Sequence, residues 1–330
     1  MERPKAAQQE SVSLAVLEPL SAVAAGSIWL LPGRGWQLQD ADNRDSLAPG
    51  VTVPMPDQVA FHIEFAGLSD VGRSRSRNED SFNISDETQL ALVCDGMGGH
   101  AGGDIASRTA AEAIVDCVYE YDPDGLLDED EDTEQDEERT VSESDNLTPD
   151  VGRSVATIRR AVQVANQRLV ALNQERGFPD GRGMGTTVVG LWLIEGTDKI
   201  VIFHAGDSRL YRYRAGELRQ LTRDHSLYQA WLDNGGHGTP PHRNIIVRAL
   251  GTMRDVEPEV SLQAVADGDV FLICSDGLTS MLADSAIAEV LTQYASGDLK
   301  EGCGRLVALA NEHGGHDNVT VVLGRCRSAA

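Results

Sequence analysis

The sequence predicts an α+β fold built on antiparallel sheets. Its strand-like and helix-like segments occur in blocks rather than in strict alternation, which is the pattern of that fold class. Glycine accounts for 33 of the 330 residues, which indicates many tight turns between short elements. Hydrophobic residues make up 41% of the chain, an ordinary fraction for a globular protein with a substantial core.

Regular elements are predicted from residue 61 onwards. Residues 61–70 (FHIEFAGLSD) alternate apolar and polar positions, as a half-buried strand does. Residues 89–96 (QLALVCDG) form a second apolar strand that runs into a glycine turn. Two helices are predicted next, over about 105–118 and 155–172, because apolar residues there line one helical face.

The rest of the chain is predicted to be mostly strands. Apolar and β-branched runs place these strands at residues 186–194, 199–206, 209–218 (with a glycine turn), 269–277 and 318–326. Two more helices are predicted at residues 284–294 and 302–312. No internal repeat is visible in the sequence.

Composition divides the chain into a main domain and two unusual segments. Residues 1–60 are rich in Pro, Gly and Ala and are predicted to be an N-terminal extension: a small β-rich appendage, an added edge of the main domain or a loosely ordered leader. Residues 61–327 form the main domain. Within it, residues 122–150 are acidic and have few large apolar side chains, so we predict a disordered insert that cannot offset its chain entropy by burial.

The net charge of −24 is concentrated in that insert. Fifteen of the 52 Asp and Glu residues lie between positions 120 and 150, where Arg139 is the single basic residue. The remainder of the chain has a moderate acidic bias. It has no basic stripe that would indicate a nucleic-acid partner, and its acidity argues against anionic membranes.

Cysteine usage and hydropathy predict a cytoplasmic location. The five cysteines are scattered, and no two of them form the CxxC pair of a zinc site. The apolar run at residues 20–31 is shorter than a membrane span of about 20 residues. Glu2, Glu10 and Glu18 do not fit the basic start of a signal peptide.

Five short acidic motifs share one design. They are NED at 78–80, DG at 95–96, GDSR at 206–209, SDG at 275–277 and GGHDN at 314–318. NED follows a run of Arg, and the others lie where a predicted apolar strand ends or begins. Each motif alone is usually a turn, but several Asp residues at buried strand ends are costly unless a cation offsets their charge. Together they predict hard oxygen ligands for Mg²⁺, Mn²⁺ or Ca²⁺ rather than zinc.

The order of the motifs resembles a known family. RSRNEDSF, VCDGMGGHAGGDIAS, GMGTTVV, HAGDSRLYRY, LTRDHS, VRALG, LICSDGL and GGHDNVTVV follow one another between residues 65 and 323. This order is similar to that of the bacterial branch of the type 2C, metal-dependent protein phosphatases. The resemblance implies a four-layer α–β–β–α sandwich, with two central antiparallel sheets flanked by helices.

The resemblance also implies which residues hold two Mn²⁺ or Mg²⁺ ions. Asp95 is similar to the carboxylate that bridges the two ions, and the carbonyl of Gly96 would bind one of them. Asp276 and Asp317 are similar to the other ligands of the first ion.

Two further positions would complete the implied site. Asp80, with Glu79 beside it, would hold metal-bound waters. Asp207, together with Asp276, resembles the site of a third, weaker ion in bacterial members of the family.

Arg75 and His100 are the remaining candidates for catalysis. Arg75 lies four residues before Glu79, at the position of the phosphate-binding arginine of the family, and its neighbours Arg73 and Arg77 are the alternatives. Some relatives carry a histidine directly after the metal-binding DG, where it can protonate the leaving group. Here Met97 takes that position, so the general acid is open between His100 and a metal-bound water, with a structural role for His100 as the third possibility.

Two other segments carry expectations from the same resemblance. Residues 222–250 are expected to form the flap that lies beside the site in this family, and His225 within it is interpreted as structural or at the rim. Gly185, Thr186 and Thr187 are expected to build a buried turn and strand rather than to contact substrate.

The sequence therefore predicts a phosphoprotein phosphatase that acts on phosphoserine and phosphothreonine. Two cations would acidify a shared water molecule, and the guanidinium of Arg75 would clamp the phosphoryl oxygens. The expected partner is a protein phosphorylated by a serine/threonine kinase, with a monomeric enzyme in a signalling role. Two alternatives stay open: a catalytically silent phosphatase fold that serves as a binding module, and a two-metal phosphodiesterase or nuclease.

Overall fold

A computed structural model of the protein describes residues 60–98, 102–121, 149–178 and 182–328. The predicted N-terminal extension up to residue 59 lies outside the described residues, as do residues 122–148 of the predicted acidic insert and His100. Residues 149 and 150, which we had assigned to the end of the insert, belong to a helix.

The described part of the chain contains eleven strands and six helices. In chain order they are β1 (Phe61–Asp70), β2 (Asp80–Ser85), β3 (Leu90–Met97), α1 (Gly103–Tyr119), α2 (Pro149–Glu175), β4 (Gly185–Thr186), β5 (Val188–Leu193), β6 (Lys199–Ala205), β7 (Arg209–Arg214), β8 (Glu217–Gln220), α3 (Leu227–Asp233), β9 (Glu259–Ala264), β10 (Val270–Cys274), α4 (Asp276–Thr279), α5 (Asp284–Tyr294), α6 (Leu299–Glu312) and β11 (Val319–Ser328).

The strands form two sheets in which every pairing is antiparallel. The first sheet has the order β1-β11-β10-β7-β8. The second has the order β2-β3-β5-β6-β9, and the short β4 pairs with β3 beside this path. Because antiparallel neighbours run in opposite directions, each sheet end collects the end of one strand and the start of the next.

Alternating side chains connect the two sheets to their helices. In β11, Val321 and Leu323 pack with α5 and α6, whereas Val322 between them packs into the space between the sheets. In β3, Leu92 packs with α1 and α2, whereas Val93 packs between the sheets. This two-residue period is the one expected of strands that are covered on both faces. The layers are therefore helix, sheet, sheet, helix, and the predicted α–β–β–α sandwich is confirmed.

Two buried asparagines of α2 form hydrogen bonds with backbone groups of residues 184 and 251–254. The side-chain amide of Asn166 donates to the carbonyls of Met253 and Arg254, and its carbonyl accepts from the Gly251 amide at 2.8 Å. Asn173, two turns later, donates to the carbonyls of Met184 and Gly251 and accepts from the Met184 amide. These bonds satisfy buried backbone groups that have no place in a sheet.

Most of the predicted elements are present, with revised boundaries. The second predicted helix extends from Pro149 to Glu175, since proline at the first helical position leaves no additional N–H unpaired. The last helix begins at Leu299 rather than at 302, because the Asp298 carboxylate caps the amides of Lys300 and Glu301. The strand predicted at residues 269–277 ends at Cys274, and residues 276–279 form the short helix α4.

Four elements were missed at the sequence level: β2, α3, α4 and β9. The strands β2 and β9 lie at the edges of the second sheet, and their side chains are half-buried or exposed. Edge strands carry a weaker apolar signal than central strands, which explains why periodicity did not reveal them. Among the helices described by the structure, none combines the length and apolar character needed to cross a membrane.

Candidate metal centre and active site

The predicted acidic residues meet where strand ends of both sheets converge. Asp80 begins β2 and lies directly opposite Asp95 of β3 in the pairing register. Asp207 follows β6, Asp276 follows β10 as the first residue of α4, and Asp317 precedes β11 by two residues. Burial and the neighbouring negative charges, including that of Asp317, raise the pKa values of Asp80, Asp95, Asp207 and Asp276, which places the five carboxylates in one cluster.

The backbone around Asp95 is held by two threonines. The Asp95 amide donates to the Thr187 hydroxyl at 3.0 Å, and the Thr187 amide donates to the Asp95 carbonyl at 2.8 Å. The Thr186 hydroxyl donates to the same carbonyl, and Thr187 also shares a hydrogen bond with Ser208. Thr186 and Thr187 are buried, so they position the site rather than contact a substrate, in agreement with the sequence interpretation.

Gly96 has to be glycine because the backbone is crowded at this point. A Cβ atom at position 96 would lie 2.1 Å from the Gly103 carbonyl oxygen and 2.5 Å from the Glu79 carbonyl oxygen. Its amide donates to that same Glu79 carbonyl at 3.2 Å. The chain therefore passes tightly between the NED motif and the start of α1, which leaves the Gly96 carbonyl as an available oxygen ligand.

Asp80 is half-buried and receives two hydroxyl hydrogen bonds from the other sheet. Its Oδ2 accepts from Ser275 at 2.8 Å and from Thr320 at 2.7 Å. Burial raises the pKa of Asp80 to about 7, with further increases from Asp276 and Asp317, while the two hydroxyl bonds oppose the shift. Asp80 thus joins the two sheets and would readily exchange its proton for a cation near neutral pH.

Asp207 carries a buried oxygen without a partner. Its Oδ1 is inaccessible to solvent and has no hydrogen-bond partner among the described residues. Burial raises the pKa of Asp207 to about 7, and the charges of Asp276 and Asp224 add to the increase. A buried carboxylate oxygen without a donor is costly, and a bound cation would remove that cost.

The pKa values of Asp95 and Asp276 are also raised. Burial is the main cause for Asp95, followed by the charges of Asp80 and Asp276. Burial also raises the pKa of Asp276, with the charge of Asp317 as the next cause, whereas a hydrogen bond with Asp95 and the charge of Arg75 oppose it. Like charges at such short range are stable only with protons or cations between them.

Arg75 is in contact with the acidic cluster. Its Nη2 donates to Oδ2 of Asp317 at 2.7 Å, and about half of the arginine side chain stays exposed. Asp317 also accepts from the Asn318 amide through Oδ1 at 2.8 Å. The exposed guanidinium at the rim suits a phosphate ligand, since its planar donors can bind two phosphoryl oxygens at once.

Asn318 fixes the loop that carries Arg75. Its Nδ2 donates to the carbonyls of Val71 and Arg77, and its Oδ1 accepts from the Glu79 amide at 2.8 Å. The amide of Arg73 donates to the Gly315 carbonyl at 2.7 Å in the same loop contact. The last letter of the GGHDN motif thus has a positioning role that we did not assign from the sequence.

Glu79, the residue beside Asp80 in the NED motif, also lies at the site. A Cβ atom at Gly103 would lie 2.8 Å from the Glu79 carboxyl carbon and 2.9 Å from the Gly96 carbonyl oxygen. The Glu79 carboxyl group and the Gly96 carbonyl therefore face the same point at the start of α1. The NED motif places two acidic side chains in the site: Asp80 accepts from Ser275 and Thr320, whereas the Glu79 carboxyl group lies next to Gly103.

The cluster suits a divalent cation of the Mg²⁺ or Mn²⁺ type. Its donor groups are carboxylates and one carbonyl, which are the oxygen ligands that these ions prefer. In the absence of cations, carboxyl groups in such a donor set bind protons and have raised pKa values. The pKa values of Asp80 and Asp207 are raised in this way, and Oδ1 of Asp207 has no hydrogen-bond partner among the described residues. The residues that could hold the ions are Glu79, Asp80, Asp95, Gly96, Asp207, Asp276 and Asp317.

The segment 222–250 lies beside this cluster, as expected for a flap. The Leu250 amide donates to the Thr186 carbonyl, and the Leu250 carbonyl accepts from the Thr186 amide, which attaches the end of the segment next to Asp95. The His225 amide donates to the Gly206 carbonyl at 2.8 Å, which attaches its beginning next to Asp207. Between these points the segment contains α3 and four exposed apolar side chains, those of Leu227, Leu232, Ile245 and Val247.

Comparison with known proteins identifies one family. The family model described as protein phosphatase 2C matches residues 71–310. The chain is 35% identical over 272 residues to the serine/threonine protein phosphatase PstP of Mycobacterium tuberculosis, which covers 81% of this chain and 45% of that protein. It is 34% identical over 271 residues to the serine/threonine phosphatase stp of Listeria welshimeri, which covers 80% of this chain and 95% of that protein.

A solved structure shares the fold. The crystal structure of the catalytic domain of PstP in complex with two manganese ions superposes with a TM-score of 0.64 and 31% identity. The match covers 81% of this chain and all of that domain. The matched region covers less than half the length of the complete mycobacterial protein.

Proposed function

Because the chain belongs to the protein phosphatase 2C family, we propose that it is a metal-dependent phosphatase that removes phosphate from phosphoserine and phosphothreonine in proteins. One observation carries the proposal: four aspartates with raised pKa values, Asp80, Asp95, Asp207 and Asp276, cluster with Asp317 beside an exposed arginine. A structural ion-pair network would balance acids with bases, whereas this cluster has a large excess of acid.

The chemistry divides between the cations and the chain. Two bound cations would acidify a water molecule and neutralise the phosphoryl oxygens. Asp95, Asp276 and Asp317 would hold the ions of the first site and the bridge, with the Gly96 carbonyl as an uncharged ligand. Asp80 would orient metal-bound water, because its second oxygen is already fixed by Ser275 and Thr320.

Arg75 would orient the substrate. When a phosphate monoester enters, its oxygens would compete with Asp317 for the guanidinium, and two parallel N–H···O bonds would align the phosphorus with the cluster. No covalent intermediate is needed in this scheme, so no Ser, Cys or His nucleophile is required. The general acid stays open between His100 and water.

The finer aspects of the proposal concern partners and location. We propose a substrate phosphorylated by a serine/threonine kinase, a monomeric enzyme and a cytoplasmic location. The printed names of the relatives support serine/threonine specificity, and the acidic character of the described domain argues against nucleic acid. Size-exclusion chromatography with light scattering would test the monomer.

Peptide specificity tests the proposal. We expect phosphate release from phosphothreonine and phosphoserine peptides with Mn²⁺, much slower release from a phosphotyrosine peptide, and no release with excess EDTA. The same protein should not cleave bis(p-nitrophenyl) phosphate, a diester. Faster cleavage of the diester than of phosphopeptides would favour the phosphodiesterase alternative, and no turnover by folded, Mn²⁺-binding protein would favour the binding module.

A further inference from the structure

His225 makes three backbone contacts between the Asp207 loop and the flap. Its amide donates to the Gly206 carbonyl at 2.8 Å, and its Nδ1 accepts from the Gly206 amide at 3.2 Å. On the flap side its carbonyl accepts from the Val247 amide at 2.8 Å. Both polar backbone groups of the residue before Asp207 are therefore bound by one histidine.

The ring of His225 is fixed by its neighbours. It stacks on His204 with a centroid distance of 4.5 Å and an angle of 10° between the planes. His204 is itself held, because its Nε2 donates to the Arg223 carbonyl at 2.8 Å. The other ring nitrogen of His225, Nε2, lies 3.3 Å from a carboxylate oxygen of Glu259 and 3.4 Å from Arg248.

A metal ion does not fit this histidine pair, although ligand atoms of His204, His225 and Glu259 lie within 4.8 Å of one another. An imidazole binds a metal in its own ring plane, and stacked parallel rings have no point that lies in both planes. The Arg248 guanidinium lies beside the nitrogen that would have to bind it. Since Nδ1 accepts from Gly206, the Nε2 atom of the neutral ring carries the proton.

The hydrogen bonds between His225 and Gly206 matter because of the backbone conformation of Gly206. It has φ 129°, and a Cβ atom there would lie 2.5 Å from the Thr187 side chain, so the position excludes larger residues. A glycine has the widest backbone freedom of any residue. The direction of the next side chain, Asp207, therefore depends on contacts that hold Gly206 from outside.

We propose that His225 is a positioning residue, which orients the Asp207 carboxylate by binding the Gly206 backbone through Nδ1 and connects that carboxylate to the flap. The inference rests on the proposed function, because it takes Asp207 as a cation ligand. Asp207 has an unpartnered, buried Oδ1, so a small rotation of its backbone would move a ligand atom with nothing else to hold it. Residues that orient metal ligands change affinity by roughly 10–100-fold when they are removed.

Two conservative variants separate the nitrogens of the ring. In His225→Asn the amide oxygen can replace Nδ1 as acceptor for Gly206, and in His225→Gln the amide can replace Nε2 near Glu259. Mn²⁺ binding is measured by titration calorimetry on the full chain, and the phase assigned to Asp207 is the one that Asp207→Asn removes. We expect His225→Gln to weaken that phase about tenfold and His225→Asn to weaken it less than about threefold.

Glu259→Gln serves as the matched control and should leave all phases unchanged. Equal weakening by both histidine variants, rescue by Gln rather than Asn, or no change in either would overturn the inference. Circular dichroism and the melting temperature establish whether each variant is folded. If a histidine variant does not fold, Glu259→Gln still tests whether the contact at Nε2 contributes to Mn²⁺ binding. If the wild-type chain binds no Mn²⁺, the proposed function fails; if it binds Mn²⁺ and hydrolyses phosphothreonine while the histidine variants are unaltered, this inference alone fails.

Discussion

Arg75 has to exchange one anionic partner for another. In the structure it donates to Asp317, and about half of its side chain is exposed at the rim of the acidic cluster. We expect Arg75→Ala to raise KM for a phosphothreonine peptide by about tenfold, the value of one lost charge-assisted hydrogen bond, with a smaller effect on kcat.

Arg77→Ala is the matched control for that substitution. The Arg77 side chain is exposed, and its carbonyl, which every variant retains, is the group that accepts from Asn318. Initial rates over a range of peptide concentrations give KM and kcat for both variants. An unchanged KM in Arg75→Ala with a raised KM in Arg77→Ala would transfer the clamp to the neighbouring arginine.

The hydroxyl of Thr320 keeps Asp80 more acidic than burial alone would allow. Its hydrogen bond lowers the pKa of Asp80, which burial raises to about 7. Thr320→Val removes that bond, so the pKa of Asp80 should rise. Asp80 then retains its proton to a higher pH, and the proton competes with the cation over a wider pH range. We expect the acidic limb of the rate against pH to move to higher pH.

Thr197→Val is the control for Thr320→Val, because the Thr197 hydroxyl bonds within its own turn, at the Ile194 carbonyl. The pH profile of kcat/KM at fixed Mn²⁺ measures both variants. A Thr320→Val profile that overlays the wild-type profile would mean that Asp80 does not control the acidic limb.

Residues of the candidate site differ in how far the sequence could identify them. Asp95, Asp276 and Asp317 follow or precede apolar runs, so local pattern and motif order predicted their grouping. The roles of Asn318 and Glu79 depend on contacts with residues that are distant in sequence. Such contacts produce no periodic pattern in the sequence. The residue types of a motif do not show which backbone groups each side chain binds.

Among the secondary-structure elements, α2 is held by hydrogen bonds from buried polar side chains as well as by apolar packing. Asn173 satisfies two carbonyls and one amide that would otherwise be buried without partners. We expect Asn173→Ala to lower the free energy of unfolding by about 2–4 kcal/mol, because each unsatisfied buried group costs roughly 1–3 kcal/mol and relaxation recovers part of it.

Gln174→Ala, one residue along the same helix, is the control because that side chain is exposed. It should change the free energy of unfolding by less than about 0.5 kcal/mol. Urea denaturation followed by circular dichroism measures both variants. Equal stability of the two variants would mean that the apolar face of α2 holds it without the asparagine.

The elements that the sequence predicted well are those buried on both faces. β10 and β5 are apolar along their whole length, so their runs are plain in the sequence. β2 and β9 lie at sheet edges and expose part of each side chain, and their existence depends on the partner strand rather than on their own composition. The short helices α3 and α4 are too brief to show a helical period.

For the whole molecule, the acidic cluster links stability to pH and to cations. Carboxyl groups such as Asp80 and Asp207, with a pKa near 7 when folded, bind more protons in the native than in the unfolded state between about pH 4 and 7. Without cations, their contribution to the free energy of unfolding therefore falls as pH rises through that window. A bound cation reverses this loss.

The gain in Tm on adding Mn²⁺ should consequently be larger at pH 8 than at pH 5.5. Ions that bind the native state alone stabilise it by mass action, and at pH 5.5 they must first displace protons from the cluster. His204 and His225, whose pKa values are lowered by burial, contribute to the pH dependence in the opposite direction. Differential scanning fluorimetry measures the gain, and an equal gain at both pH values would contradict the account.

The central claim is that the aspartate cluster is a cation site that hydrolyses phosphothreonine, and one measurement tests it most directly. Phosphate release from a phosphothreonine peptide is followed while Mn²⁺ is titrated into wild-type protein and into Asp95→Asn. The account predicts saturable, Mn²⁺-dependent release by the wild type and a loss of at least about a hundredfold in a folded Asp95→Asn variant, since the substitution removes the charge of a carboxylate that would hold the cations. Near-normal release by that variant, or release that persists in excess EDTA, would contradict it.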